Sequence, residues 1–542
     1  MKKYSNSNCT SILGPKFSSL SLGICALALA GCNTSVDEKV STPNIVLIMA
    51  DDLGYSDIGC YGGEIPTPNL DKLAEKGMRF TQFYNASRCV PTRASLLTGL
   101  YAHQAGLGEM VNPDPQQRPG YIGRLNESCV SIAEVLRSAG YQTFMSGKWH
   151  VTHYDYRDPE PTLHRPSWPL QRGFDRFFGT LSGAGSFFTP ASLMLQNEFI
   201  EPWDDFYYTE AITDYAVEFI DDAEKDRPFL LYISHVAPHW PLHARQEHID
   251  MFTNSYYGGW DELRENRHSR MKELGIIDER FELSPRDESV SSWEDSPHKE
   301  WEAHRMAVYA AQVYSMDLGI GKVIEALERK GVLDNTLILF LSDNGACAEV
   351  IQGRDTRHGF FERGGTNPEI FPGAPDTYAA YGMAWANAGN TPYRRFKKWT
   401  HEGGIITPLI AHWPQQIKPG QITAHVGHVI DFMPTFVELA GATYPDSLKD
   451  KAITPMEGVS FMNLLKGELQ KQKTHQNLFW EHFGHKAVRQ ENWKLVSKKE
   501  GWELYDLDKD PVELHNLVET YPEKAAELTE LWKQWAQRAM VE

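Results

Sequence analysis

Several large protein classes are excluded by what this sequence has little of. Cysteine is scarce, seven residues in 542, with no Cys-x-x-Cys pair and no cysteine/histidine spacing of a zinc module. Basic residues are the minority charge, 53 Lys and Arg against 72 Asp and Glu, and a formal net charge of -19 argues against nucleic acid as a partner. The most membrane-like apolar run, Leu20 to Cys32, is too short to anchor the chain by spanning a bilayer. Internal repeats and long low-complexity tracts are missing. What remains is an acidic chain with room for one large α/β domain and a smaller one. Any anionic substrate must be met there by a local positive site, because the general field repels it.

The first forty residues carry an address. Lys2 and Lys3 precede the apolar run, which closes in Leu29-Ala30-Gly31-Cys32. This is the pattern of a signal peptide over residues 1–31, and its end resembles the bacterial lipobox, in which the cysteine becomes a lipidated N-terminus. The expectation is a lipid anchor on Cys32, a polar tether over residues 32–42, and an exported protein facing the periplasm or held at the outer membrane or cell surface. Cys9 and Cys25 leave with the signal, so Cys60, Cys89, Cys129 and Cys347 remain. An exported compartment permits disulfides among them. With Cys89 set aside, at least one stays free.

Four apolar runs have strand length: "NIVLIMA" from Asn44, "YQTFMSGKWH" from Tyr141, "PFLLYISHVAPHW" from Pro228 and "NTLILFLSDNGA" from Asn335. Each ends in a polar cluster. Helical patterns lie between them: Asn69 to Lys76 with Asn69 as its cap, Ser131 to Ser138 stopped by Gly140, Ala211 to Ala223, and Trp301 to Arg329. Met306, Ala310, Val313, Met316, Ile320, Val323 and Leu327 form a core stripe on the last of these. The charge-dense stretch from Tyr256 to Glu302 reads as a surface excursion of loops and short helices. Alternating helices and continuous apolar strands predict a large mixed, mostly parallel sheet flanked by helices. The domain is expected over residues 43–442, followed by a smaller antiparallel-sheet and helix subdomain over 456–542.

In such sheets, ligands bind beyond the carboxyl ends of the strands. That rule gathers Asp51, Asp52, Lys148, His150, His239, Asp343 and Asn344 at one edge. Alone, each is an ordinary turn residue; four strand ends converging are harder to dismiss. Asp51, Asp52, Asp343 and Asn344 offer hard oxygen donors, which suit Ca2+ or Mg2+. Adjacent acids on a strand point apart, so both reach one ion only if the backbone turns, which Leu53-Gly54 permits. One divalent cation, three aspartates and the bases Arg93, Lys148 and Lys397 leave a net positive pocket for sulfate or phosphate. The missing nucleophile falls to Cys89, just ahead of a helix start at Pro91, where anions are favoured.

Cys89-Val90-Pro91-Thr92-Arg93 followed by Leu97-Thr98-Gly99 closely resembles the signature of the type I sulfatase family. Leu100 stands where that family often has a basic residue. The Asp51-Asp52 pair, "GKWH", "APHWP", "SDNG" and "HEGG" match further family landmarks in order, from Pro43 to the C-terminus. The resemblance implies the alkaline phosphatase superfamily fold and sulfate ester hydrolysis. It also implies conversion of Cys89 to Cα-formylglycine by a maturase, the hydrated aldehyde offering one hydroxyl for attack and a second for eliminating sulfate. It further implies one Ca2+ held by Asp51, Asp52, Asp343, Asn344 and residue 89. Arg93 would hold formylglycine and the metal ligands, and Lys148 and Lys397 would neutralise sulfate oxygens. His239 would act as general acid at the leaving oxygen, and His150 would take the proton from the second hydroxyl. Lys397, not Lys398, lies five residues before Glu402 of "EGG", and His401 is read as a turn residue.

The stretch "MAWANAGNTPYRRFKKWTHEGG" looks like the bacterial arylsulfatase branch. The substrates expected are aryl sulfates in assay and sulfated polysaccharide fragments in nature. A formylglycine-dependent phosphonate monoester or phosphodiester hydrolase is the enzymatic alternative, and a non-catalytic glycan-binding lipoprotein the other. Trp240, Trp168 and Phe187 could line a sugar subsite or simply pack.

Overall fold

The computed structural model describes residues 42–154, 161–351, 363–498 and 501–542. The signal segment, Cys32 and the tether up to residue 41 lie outside the described residues. Eleven strands form the main sheet: β1 (Asn44–Ala50), β2 (Met78–Tyr84), β3 (Gln142–Lys148), β4 (Arg176–Thr180), β5 (Leu193–Leu195), β6 (Glu198–Phe199), β7 (Phe229–Ser234), β8 (Thr336–Ser342), β9 (Ile406–His412), β10 (Gln421–Thr423) and β11 (Gly427–His428). Their spatial order is β10-β2-β9-β8-β1-β7-β3-β4-β5-β6, with β11 also on β2. The run β8-β1-β7-β3-β4 is parallel throughout. The antiparallel β9 bridges β8 to β2, and β5 and β6 finish the other edge antiparallel. The sheet is therefore mixed around a parallel centre.

Every residue of β1 is buried. Val46, Ile48 and Ala50 enter one core, and Ile45, Leu47 and Met49 the other. This is how an uninterrupted apolar strand is accommodated when both faces of a sheet are covered. The first face is packed by α1 (Pro68–Glu75), α4 (Tyr208–Asp222) and α6 (Lys299–Lys330); the second by α2 (Cys89–Thr98), α3 (Ile132–Ser138) and α7 (Phe432–Ala440). Ser131 starts α3 through a capping box with Glu134. Gly99 ends α2 at φ 70°, its N–H donating to the Ser95 carbonyl.

Three expectations are adjusted by the structure. Asn69 does not cap α1: Pro68 takes the first helical position, and the cap comes from Asp317 of α6, which accepts from the Asn69 and Leu70 N–H groups at 3.1 and 2.9 Å. Helix α2 begins on Cys89 itself rather than after it. The stretch from Tyr256 is no mere surface excursion. It contains α5 (Gly259–Glu273), it packs Trp260 and Trp293 against Trp385, and it buries Arg264 and Arg267. Cys60, Cys89, Cys129 and Cys347 are all buried and free, so no disulfide joins them.

A second sheet is antiparallel: β12 (Asn477–His482), β13 (His485–Gln490), β14 (Trp493–Lys498) and β15 (Trp502–Asp506). Helix α8 (Pro522–Arg538) covers it with buried Leu528, Trp532 and Trp535. Lys494 of β14 is fully buried and joins Glu402 and Glu513 at 2.6 and 2.8 Å, tying this sheet to the turn before β9. No helix among the described residues is long and apolar enough to cross a membrane.

Candidate active site

The carboxyl ends of β1, β3, β7 and β8 meet on one side of the sheet, as parallel order requires. Asp51 and Asp52 follow β1, and Asp343 and Asn344 follow β8. Lys148 ends β3 with His150 beyond it, and His239 lies in the loop after β7. Asp51, Asp343, Asn344, Arg93 and Lys148 are fully buried, and Asp52, Cys89, Lys397, His239 and His150 nearly so.

The turn that brings both aspartates inward sits at Asp52 itself, which takes φ 67°; Leu53-Gly54 follows rather than makes it. Asp is one of the few residues that tolerate this region. The Asp52 N–H donates to Asp343 Oδ1 at 3.2 Å, and Leu53 N–H to Ser342 Oγ at 3.1 Å, which stitches the β1 turn to the end of β8.

Arg93 reaches across from α2. It donates to Asp343 Oδ2 from Nε at 3.1 Å and from Nη2 at 2.7 Å, and Nη1 donates to the Lys148 carbonyl at 3.2 Å and to Ser234 Oγ. Lys148 Nζ lies 2.5 Å from Asp51 Oδ2, and Lys397 Nζ 2.7 Å from Asp52 Oδ1. Asn344 Nδ2 also donates to Asp52 Oδ1 at 2.7 Å. The structure thus brings together all ten residues gathered from the sequence.

The electrostatics follow from this packing. Burial pushes the Asp343 carboxyl up to about 6, and the neighbouring Asp51 charge adds to it, against the pull of Arg93 and Lys148. Burial also opposes the charge on Asp52, yet Lys397 and the Asn344 amide hold that carboxyl well below the usual range. Burial disfavours the Lys397 ammonium, but Asp52 more than offsets this and keeps it charged. Burial drives His239 down to about 3 and His150 well below its usual value, so both rings are neutral at neutral pH. The Cys89 thiol is likewise raised by burial, despite Lys148 and Lys397. A buried neutral thiol is a poor nucleophile.

The donor set fits a hard cation. Asp51 Oδ1 and Asn344 Oδ1 are buried without a hydrogen-bond partner, which is costly unless a cation meets them. Donor atoms of Asp51, Asp52 and His239 all lie within 4.8 Å of one another. His239 Nδ1 lies 2.6 Å from the Trp240 carbonyl. If it donates there, the neutral ring presents a lone pair from Nε2 to Asp52 Oδ2 at 3.4 Å, a contact that a proton or cation would relieve.

Four of the ten, Cys89, His150, His239 and Lys397, line a cleft of about 990 Å3. Trp240 lines its wall, whereas Trp168 and Phe187 are core residues. His401 pairs with Glu503 of β15 at 2.8 Å, away from this lining. The sequence reading missed Ser234, which accepts from Arg93 and donates to the Lys148 carbonyl at 2.6 Å. It also missed Glu349, which accepts from Arg88 at 3.0 Å, from Lys398 at 2.8 Å and from Trp240 Nε1 at 3.1 Å. Ser234 carried a signal, as the last residue of an apolar strand; Glu349 carried none.

A parallel sheet with this array of acids and bases at its carboxyl edge belongs to the alkaline phosphatase superfamily. The family model described as Sulfatase matches residues 43–442, and one described as N-sulphoglucosamine sulphohydrolase, C-terminal, matches residues 393–540. The chain belongs to the sulfatase family, as a type I member, and is a sulfuric ester hydrolase. It is 35% identical over 526 residues to an uncharacterised sulfatase of Schizosaccharomyces pombe, covering 90% of this chain and 92% of that one. It is 35% identical over 465 residues to an arylsulfatase of Klebsiella aerogenes, covering 81% and 95%. The crystal structure of Ps i-CgsB in complex with k-i-k-neocarrahexaose aligns at a TM-score of 0.64 and 26% identity, covering 91% of this chain and 93% of that one.

Proposed function

We propose that the chain cleaves sulfate esters with formylglycine at position 89 and a Ca2+ ion. The observation that carries the metal part is the pair of buried, unpartnered oxygens on Asp51 and Asn344, beside Asp52 and Asp343. The ion would be held by these four side chains and residue 89, and when bound supplies Lewis-acid stabilisation of charge at the reacting centre. Formylglycine supplies an attacking hydroxyl from its hydrated aldehyde, with a second hydroxyl for release of sulfate. The neutral thiol of unmodified Cys89 supports a role as precursor rather than nucleophile.

The remaining work falls to the chain's own groups. Lys148 and Lys397 neutralise sulfate oxygens. Arg93 holds Asp343 and the end of β3 in register with the start of α2. His239 stands at the leaving oxygen and, being neutral when empty, takes up its proton as the anionic ester binds beside it. His150 would take the proton from the second hydroxyl as sulfate is released.

The natural substrate is a sulfated polysaccharide fragment, met by a lipid-anchored enzyme facing the periplasm or the cell surface, after a maturase has acted on Cys89. The cleft is large for a simple aryl sulfate, and the Ps i-CgsB structure holds k-i-k-neocarrahexaose. The test is a screen of sulfated glycans and aryl sulfates, paired with the matching phosphate esters, with free sulfate and free phosphate as readouts. Release of sulfate from oligosaccharides is expected. Preferential turnover of phosphate esters would refute the reading.

A further inference from the structure

Asp57 takes no part in the chemistry above, yet it is fully buried five residues beyond Asp52. Its Oδ2 accepts from the Gly54 N–H at 2.7 Å and from the Tyr309 hydroxyl at 2.6 Å. The same hydroxyl lies 3.4 Å from the Asp52 carbonyl. Its Oδ1 accepts from Arg267 Nη1 at 2.5 Å, and Arg267 is held in turn by Glu64 at 2.8 and 3.0 Å. Tyr309 is itself fixed by stacking on Tyr381, with ring centroids 4.2 Å apart.

These contacts converge on one strained residue. Asp52 sits at φ 67°, a conformation that persists only where its surroundings enforce it. The side before it is fixed by the bond from its own N–H to Asp343. The side after it is fixed by Asp57 at the Gly54 N–H, and the Tyr309 hydroxyl, whose one proton goes to Asp57, packs 3.4 Å from the Asp52 carbonyl. The turn is closely packed: a Cβ on Gly54 would meet the Gly389 carbonyl oxygen at 2.4 Å. Arg267 comes from α5, in the segment the sequence marked as an excursion, so that segment braces the turn from outside the sheet.

We propose that Asp57 is a positioning residue, held by Arg267 and Tyr309, that sets the Asp52 carboxylate in place to receive the metal. The inference rests on the metal reading given above. Groups that orient ligands without touching the metal typically change affinity by about 10- to 100-fold when removed.

The test is calcium titration by calorimetry on chelator-stripped full-length protein, with melting temperatures of the stripped forms measured alongside. Asp57→Asn keeps the shape of the side chain and removes its charge; its calcium Kd is expected to rise about tenfold or more, and Tyr309→Phe to raise it by several-fold. Excess calcium is expected to restore kcat in both, with KM for an aryl sulfate near that of the parent. Should Asp57→Asn not fold, Tyr309→Phe decides alone. Unchanged affinity in the folded variants, with only a lowered melting temperature, would overturn the inference and leave the metal site standing. A parent protein that takes up no calcium would overturn the metal reading and this inference with it.

Discussion

Asp317 offers a stability measurement whose size follows from its surroundings. It sits on α6, largely buried, and caps α1 by accepting from two backbone N–H groups and from Asn69 Nδ2 at 2.9 Å. Burial outweighs those bonds and pushes its carboxyl from 3.8 up to about 6. The folded state therefore binds this proton more tightly than the unfolded chain does. Below pH 3.8 both states are protonated and stability is undiminished; above pH 6 the folded state carries a buried charge. A shift of about 2.2 units at 1.36 kcal/mol each makes the loss about 3 kcal/mol across that window. Asp317→Asn removes the titration and gives up one or two hydrogen bonds, a cost of about 1 kcal/mol each that does not vary with pH. Thermal unfolding of both proteins from pH 4 to pH 7.5 is the assay. The parent's advantage over the variant is expected to shrink, or reverse, by about 3 kcal/mol as pH rises. A gap that stays constant to within about 1 kcal/mol would refute this and show that the hydrogen bonds to the carboxylate compensate its burial.

Three other outcomes are expected. Cys89→Ala abolishes ester cleavage while leaving the melting temperature close to that of the parent; residual turnover near the parent level in sulfate-release assays would remove residue 89 from the chemistry. Asp343→Ala is expected to lose bound calcium and activity together, read by metal analysis of the purified protein, because Asp343 accepts from the Asp52 N–H and anchors Arg93. Lys494→Met leaves Glu402 and Glu513 buried without their shared cation and costs about 3–5 kcal/mol in denaturant unfolding; the added change Glu513→Gln recovers part of that loss.

Much of the catalytic edge was legible because it depends on local patterns. Each of β1, β3, β7 and β8 is an apolar run ending in polar residues, and parallel pairing places those ends together whatever the loops do. The devices that hold the residues in place were not legible, because their partners lie far away in sequence. Asn69 looked like a cap by its type, but Pro68 shifted the helix start and Asp317, 248 positions on, supplied the oxygen. The turn at Asp51-Asp52 was expected at Leu53-Gly54 because glycine permits it, whereas Asp52 itself makes the turn, with its N–H on Asp343. The segment from Tyr256 looked solvated because it is charge-rich, yet Arg267 is buried against Asp57 and Glu64 from outside the segment, and Arg264 is buried on the Ser284 carbonyl within it. Composition records the charge of such a stretch but not what answers it.

The buried link from Lys494 to Glu402 and Glu513 has a consequence for how the molecule is made. Glu402 lies five residues beyond Lys397, and its counter-charge arrives only with β14, some ninety residues later. A nascent chain emerging from the ribosome has every side chain of the catalytic edge well before it has that lysine. Until then the Glu402 carboxylate at the base of the turn carrying Lys397 has the Tyr84 hydroxyl but not the Lys494 cation, so the charge beneath that turn is answered by a strand outside the catalytic edge.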